Sequence, residues 1–230
     1  MILKQLFDYD TWTYTYLLAD EVSKEAVIID TVSTQIERDI TLINELGLTL
    51  KFALDTHVHA DHITAAGELR DRLGCKTGVA AINAVDCADL ALKDGQRLSF
   101  GQYELEVLAT PGHTSGCLSF AIDGAVFTGD SLFIRGCGRT DFQQGNAGEL
   151  YDSITIRLFS LPDSTVIYPG HDYNGHTQST VGEEKAFNPR LSMNRAEFIA
   201  YMDSLDLPNP RLIMEAVPGN MACGKPVKES

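Results

Sequence analysis

The chain has 230 residues, of which 44% are hydrophobic, and this balance is ordinary for a globular protein that buries a substantial core. Its 32 acidic residues outnumber its 18 basic ones, and the net charge of -14 excludes a broad basic surface for nucleic acid. No run of 18 consecutive apolar residues occurs, so no transmembrane helix and no membrane partner is expected.

The cysteines and the first residues predict a reduced, cytoplasmic protein. Five cysteines form an odd number without a C-x-x-C pair, which argues against a disulfide framework and against a structural zinc knuckle. The N-terminal residues 1–5 lack the basic, apolar and small-residue pattern of an export signal. We therefore expect free cysteines and a cytoplasmic location.

The first half of the chain alternates strands with helices. Residues 14–19 and 25–31 are short aromatic or β-branched runs that predict a hairpin. Residues 35–46 change to helical spacing, and residues 50–56 form a buried strand. A second helix is predicted over 63–73, because its apolar spacing ends at a glycine.

The second half repeats this pattern with two hairpins and two covering helices. The hairpins are predicted over 97–109 and 117–128, and the helices over 149–158 and 196–205. No linker or repeat interrupts the chain, so we expect a single domain over 1–230 with two β-rich halves and outer helices.

Histidines cluster at the ends of the predicted strands. Three of the six lie in one heptad, Thr56-His57-Val58-His59-Ala60-Asp61-His62, directly after the strand at 50–56. His113 and His171 each follow a Pro-Gly pair after a strand, and Asp130 follows Gly129 in the same way. Imidazole and carboxylate are ligands that suit zinc and iron, so this pattern predicts a metal site built from strand-end loops.

The order and surroundings of these motifs resemble the metallo-β-lactamase superfamily. That resemblance implies an α/β fold, an αββα sandwich of two mixed β-sheets with helices on the outer faces. Further segments resemble the persulfide dioxygenases, also called sulfur dioxygenases, within that superfamily. They are residues 128–145, 168–173, 180–184, 188–191 and 217–221.

The resemblance implies a non-haem iron(II) enzyme, with one Fe(2+) per chain, that converts glutathione persulfide, O2 and water into glutathione and sulfite. The implied iron ligands, which are also the catalytic residues, are His57, His113 and Asp130. Two histidines and one carboxylate leave open positions for substrate and oxygen. The surrounding positions, which related hydrolases use to hold two zinc ions, would orient these ligands here. They are His59, Asp61, His62 and His171.

Three further residues are candidates for substrate binding. Arg139 and Arg190 are expected to pair with the carboxylates of glutathione, since a guanidinium binds a carboxylate through two hydrogen bonds. The alternative is that each pairs with a nearby acid, such as Asp141 or Glu184. Tyr173 would either donate a hydrogen bond to substrate or pack under its loop. A homodimer is one assembly that this chain could form.

Two other functions remain open from the sequence. A zinc-dependent glutathione thioester hydrolase of the glyoxalase II type uses the same seven metal-binding positions with two ions. Against it stands the segment 135–145, which resembles the dioxygenases. A purely structural metal site is the other alternative, although seven candidate ligands exceed the four that a closed structural zinc site needs.

Overall fold

A computed structural model describes residues 1–225, and this part of the chain forms two six-stranded β-sheets and six α-helices. The chain divides into two compact units. The first contains residues 1–92, 98–105 and the described residues from 209 onward, and the second contains residues 93–97 and 106–208. A single domain over 1–230 stays a prediction.

The first sheet has the strand order β1-β2-β3-β4-β5-β6. Its first three strands pair antiparallel, and the later ones are parallel. Parallel neighbours need a crossover, which helices α1 and α2 supply on either side of β4. The bounds are β1 Ile2–Asp8, β2 Thr13–Ala19, β3 Glu25–Ile29, β4 Thr49–Leu54, β5 Lys76–Ala80, β6 Leu90–Leu92, α1 Ile36–Glu45 and α2 Ala66–Leu73.

The second sheet has the strand order β12-β11-β10-β9-β8-β7. Strands β10 and β11 pair in parallel, whereas β8 with β9, β9 with β10 and β11 with β12 pair antiparallel. A π-helical turn over Ser153–Arg157 continues helix α3. The bounds are β7 Arg97–Phe100, β8 Tyr103–Ala109, β9 Leu118–Ile122, β10 Ala125–Gly129, β11 Val166–Pro169, β12 Ser179–Thr180, α3 Ala147–Asp152, α4 Val181–Phe187, α5 Arg195–Asp203 and α6 Ile213–Met221.

Each helix that covers a sheet buries an apolar stripe. In α1, Ile36, Ile40 and Ile43 are buried in a cluster with side chains of β2 to β4, at the spacing that predicted this helix. In the second unit, Leu150, Ile154 and Leu158 line a separate buried cluster. Burying one such side chain contributes about 1.5–3 kcal/mol, so these stripes hold the helices against their sheets.

The cysteines contradict the expectation of a fully reduced chain. Cys87 and Cys223 form a disulfide across 136 positions of sequence. Cys75, Cys117 and Cys137 are buried and take no part in a disulfide. Counting cysteines and their spacing reveals only local pairs, and this bond depends on tertiary contact between the segment before β6 and the turn after α6. The prediction of no disulfide was therefore wrong.

No helix in the described part of the chain is both long enough and apolar enough to cross a bilayer.

Candidate metal centre

The histidine heptad forms a buried loop that follows strand β4. His57, His59 and His62 are each only 1% exposed. Their rings follow one another, with centroids 4.1 Å apart between His57 and His59 and 4.2 Å apart between His59 and His62. Three buried imidazoles this close need carboxylates or a cation beside them.

Asp30 supplies one such carboxylate. It follows β3 with a φ of 52°, and its side chain accepts hydrogen bonds from Thr56 N at 2.7 Å and from Thr56 Oγ1 at 2.9 Å. Its Oδ1 also lies 3.2 Å from His59 Nε2. Burial alone lowers the pKa of His59, but the charge and hydrogen bond of Asp30 outweigh it and raise that pKa to about 9.

Other contacts orient the remaining residues of the heptad. Thr56 Oγ1 hydrogen-bonds His57 Nδ1 at 3.0 Å. Asp61 Oδ2 lies 2.9 Å from His62 Nδ1, and it accepts from Thr13 Oγ1 at 3.2 Å. A ring whose Nδ1 is engaged presents its Nε2 in a fixed direction, which is how protein histidines are prepared to bind metal.

Two observations fit a cation beside this loop. His59 Nδ1 is buried without a hydrogen-bond partner among the described residues, and an unpartnered polar atom in the interior is costly. The ligand atoms of His59, Asp61 and His62 lie within 4.8 Å of one another, as do those of Asp30, Asp55 and His59. Burial raises the pKa of Asp55 to about 7, although the charge of His59 opposes this shift.

In the second unit, a glycine shapes the loop that carries His113. Gly112 has a φ of 138°, and a Cβ there would lie 2.3 Å from the backbone of Leu150. A residue with a side chain is therefore excluded at this position. His113 Nδ1 donates to the Arg139 carbonyl oxygen at 2.6 Å, which fixes the ring and directs Nε2 away from that carbonyl.

Asp130 joins His113 and His171 into one cluster. Asp130 Oδ1 lies 2.8 Å from His171 Nδ1, and its Oδ2 lies 3.6 Å from His113 Nε2. Two ligands bound to one metal at about 2.1 Å and at a right angle lie about 3 Å apart. The spacing of His113 and Asp130 therefore fits two ligands of a single ion.

The candidate arginines make contacts within the protein. Both Arg139 Nε and Nη2 donate to the Asp141 carboxylate at 2.6 Å, and Nη1 donates to the Pro208 carbonyl oxygen at 2.7 Å. Arg190 Nη1 donates to the Cys137 carbonyl oxygen at 2.8 Å. A substrate carboxylate would have to compete with these partners.

Arg135 and Tyr173 differ in their contacts and in their exposure to solvent. Arg135 pairs with Glu184, which is completely buried. Tyr173 is 61% exposed, and its ring stacks on that of His171 with centroids 6.1 Å apart. Tyr173 is thus the accessible member of the predicted substrate-binding set.

Cys137 behaves as a buried apolar side chain. It is 3% exposed, and burial raises the pKa of its thiol despite the neighbouring Arg190. A thiol with a raised pKa is a poor nucleophile.

Sequence reasoning missed Asp30, Asp55 and Asn220, which contact the heptad. The predicted strands 25–31 and 50–56 include Asp30 and Asp55, each one residue before the end of its strand. Both follow apolar runs at strand ends, and that signal could have identified them. The contacts of Asn220 with the heptad carry no local signal, since they span about 160 residues.

Comparison with known proteins supplies the wider context. The family model of the metallo-β-lactamase superfamily matches residues 13–171. "Persulfide dioxygenase ETHE1, mitochondrial" of Homo sapiens is 50% identical over 227 residues, covering 97% of this chain and 89% of that protein. The protein of the same name from Mus musculus is 51% identical with the same coverage. The crystal structure of ETHE1 from Myxococcus xanthus has a TM-score of 0.96 at 51% identity, covering 98% of this chain and all of that one.

These relatives contradict the predicted cytoplasmic location, because the mammalian ones are named as mitochondrial proteins. The prediction relied on the absence of an export signal and on the cysteine count. Neither distinguishes the cytoplasm from the interior of an organelle, since an address segment and not the folded domain decides that destination.

The predicted fold class is confirmed: a single family model spans 159 of the 230 residues, and both sheets are mixed, with helices attached. Half of all residues are shared with relatives over nearly the full length. On these grounds the chain belongs to the metallo-β-lactamase superfamily.

Proposed function

We propose that this chain is a non-haem iron(II) persulfide dioxygenase that oxidises glutathione persulfide with O2 and water to glutathione and sulfite. The observation that carries this proposal is the 50% identity with a curated persulfide dioxygenase over 97% of the chain. The glyoxalase II type of hydrolase is not favoured, since the relatives that share this identity are dioxygenases.

We propose His57, His113 and Asp130 as the ligands of one iron. The donor set fits, because two imidazoles and one carboxylate form the facial triad typical of iron(II) oxygenases. The 3.6 Å distance between His113 Nε2 and Asp130 Oδ2 supports two of the three. Bound there, iron would supply adjacent open positions at which the persulfide sulfur and dioxygen react.

The neighbouring residues would hold the ligands in place. Thr56 would set the ring of His57, and the Arg139 carbonyl oxygen would set that of His113. His171 would hold Asp130 through the 2.8 Å contact with its Oδ1. We propose similar orienting roles for His59, Asp61 and His62, which carry further hydrogen bonds in the heptad loop.

For substrate binding we propose Arg139, Tyr173 and Arg190. Tyr173 is exposed and its ring stacks on that of His171, so a substrate bound beside His171 can reach it. Arg139→Ala and Arg190→Ala are expected to raise KM more than they lower kcat if the arginines bind the glutathione carboxylates uniformly. A loss confined to kcat would instead assign them to positioning at the metal.

Oxygen uptake by the anaerobically purified protein with glutathione persulfide tests the proposal, together with sulfite formation and metal content. About one iron per chain with uptake is the expected result for a single triad. Two zinc ions without uptake would overturn it in favour of thioester hydrolysis. Light scattering on the same sample tests the predicted homodimer.

Single substitutions test the ligand set. His57→Ala, His113→Ala and Asp130→Ala should each lose iron and activity together, whereas His59→Ala should keep much of the iron. His176→Ala is the matched control, because His176 is 53% exposed and lies outside the motifs. An empty site in His59→Ala would contradict the proposed set of three ligands.

A further inference from the structure

Asn220 connects helix α6 to the histidine loop through all the hydrogen-bonding groups of its amide. Its side chain is buried, and Nδ2 donates to the carbonyl oxygens of His59 and His62, each at 2.9 Å. Its Oδ1 accepts from Thr64 N at 2.8 Å. One side chain therefore satisfies three backbone groups of a loop about 160 residues away in sequence.

The chemistry of this contact requires an amide. Two carbonyl oxygens need donors and one N–H needs an acceptor, and among side chains of this size only asparagine offers both. His59, His62 and Thr64 lie outside the named strands and helices, with only an isolated bridge between Thr64 and Val32. The Asn220 amide therefore supplies hydrogen bonds that a continuous strand ladder supplies elsewhere. A buried backbone group without a partner is costly, and the amide removes that cost at three positions at once.

Fixing these carbonyls also fixes the histidines. The direction of each Cα–Cβ bond follows from the backbone of its own residue, so a held carbonyl at His59 and at His62 limits where both rings can point. The crowding of the three rings, with centroids 4.1 and 4.2 Å apart, leaves little room for alternative backbone conformations.

Helix α6 is itself firmly placed against the same segment. The Cys87–Cys223 disulfide anchors the turn that follows the helix. A Cβ on Gly67 would lie 2.2 Å from the Cys223 carbonyl oxygen, and one on Gly224 would lie 2.0 Å from that of Thr64. The backbone around Asn220 thus approaches the histidine loop and α2 as closely as glycine permits.

We propose that Asn220 is a positioning residue for the metal centre: it holds the backbone at His59 and His62, and the His59 ring packed beside His57 keeps His57 in the conformation in which it binds metal. The inference rests on the proposed function for the identity of the metal and for His57 as one of its ligands. Asn220 lies in the segment 217–221, which resembles the dioxygenases but had no function assigned from the sequence.

The test compares metal affinity with the stability of the apoprotein. Asn220→Ala removes all three hydrogen bonds, and Asn220→Asp keeps the acceptor for Thr64 but loses both donors. The control is Thr77→Val, since Thr77 is buried in the same unit and its hydroxyl hydrogen-bonds Asp89. Affinity is measured by titrating iron(II) anaerobically into each apoprotein against a competing chelator, and stability by urea unfolding.

We expect both Asn220 variants to bind iron about 10- to 100-fold more weakly, the usual effect of losing a group that orients metal ligands. Thr77→Val should destabilise the apoprotein but keep its affinity within about twofold of the wild type, because it leaves the heptad contacts in place. If the Asn220 variants lose stability yet keep wild-type affinity, the residue is only structural and the proposal is overturned. Should Asn220→Ala fail to fold, Asn220→Asp decides in the same way.

The wild-type protein separates this inference from the proposed function. If it binds zinc and shows no oxygen uptake, the proposed function fails. The same titration is then made with zinc, and a 10-fold or greater loss in the Asn220 variants would still support the positioning role.

Discussion

The buried carboxylate of Glu184 allows a quantitative test of how the second unit is held together. Glu184 is fully buried and accepts from Arg135 N at 2.9 Å, from Ser179 Oγ at 2.6 Å, and from Asn188 Nδ2 at 2.9 Å. The guanidinium of Arg135 also donates to it. Glu184→Ala would remove this acceptor from all of these donors, of which Ser179 Oγ keeps Glu183 and Asn188 Nδ2 keeps the Gly136 carbonyl oxygen as partners.

Removing one partner of a buried ion pair costs about 3–5 kcal/mol. Because the Arg135 side chain is 37% exposed, water can replace part of its pairing. We therefore expect Glu184→Ala to lower the free energy of unfolding by about 3 kcal/mol. For a chain of this length that loss lowers Tm by about 6–12 °C. Glu184→Gln keeps one carbonyl acceptor and should lose roughly half as much.

The control is Asp152→Ala, which breaks an ion pair with Arg195 whose side chains are 41% and 52% exposed. Exposed pairs contribute less than about 1 kcal/mol, so its Tm should fall by at most about 4 °C. Differential scanning calorimetry of the apoproteins measures both. Equal shifts in the two variants would refute the assignment of a buried anchoring role to Glu184.

Three further predictions concern pH, redox state and backbone shape. Burial raises the pKa of Asp39 to about 6, so the folded state binds an extra proton and stability falls as pH rises from about 4 to 6. Asp39→Asn should remove this slope and add about 1–3 kcal/mol at pH 7 in urea unfolding, and an unchanged slope would contradict it. The denatured, unreduced protein should give three thiols with Ellman's reagent and five after reduction, and five at the start would show that Cys87 and Cys223 are unbonded. Gly112→Ala should lower both iron content and Tm, since its Cβ would clash with Leu150, whereas Gly124→Ala, with φ 74° and open space around it, should lower Tm alone. Equal iron contents in the two glycine variants would count against a loop shaped by Gly112.

Much of the architecture follows from local patterns. The hairpin of β2 and β3, helix α1 and the buried strand β4 were predicted within a few residues of their observed bounds. Each has a clear period of apolar residues and ends at a glycine or a polar turn. Helix α6 was not predicted, because Pro218 and Gly219 within it oppose helix formation and only tertiary packing stabilises it.

The candidate site shows the same division. His113, Asp130 and His171 were identified because each follows a strand, and their clustering in the second unit agrees with that reasoning. Asp30 follows β3 at a strand end, a local signal that the sequence analysis did not use. The contacts of Asn220 depend on tertiary structure and have no local signal. The ion pair between Arg139 and Asp141 corresponds to the alternative that the sequence left open beside substrate binding.

The Cys87–Cys223 bond has a consequence for the covalent topology of the chain. Every residue of the second unit lies between these two cysteines in sequence, so that unit belongs to a closed covalent ring. A protease that cuts one peptide bond within the ring opens it without separating the pieces. The nicked protein would keep its full mass until a reductant divides it in two.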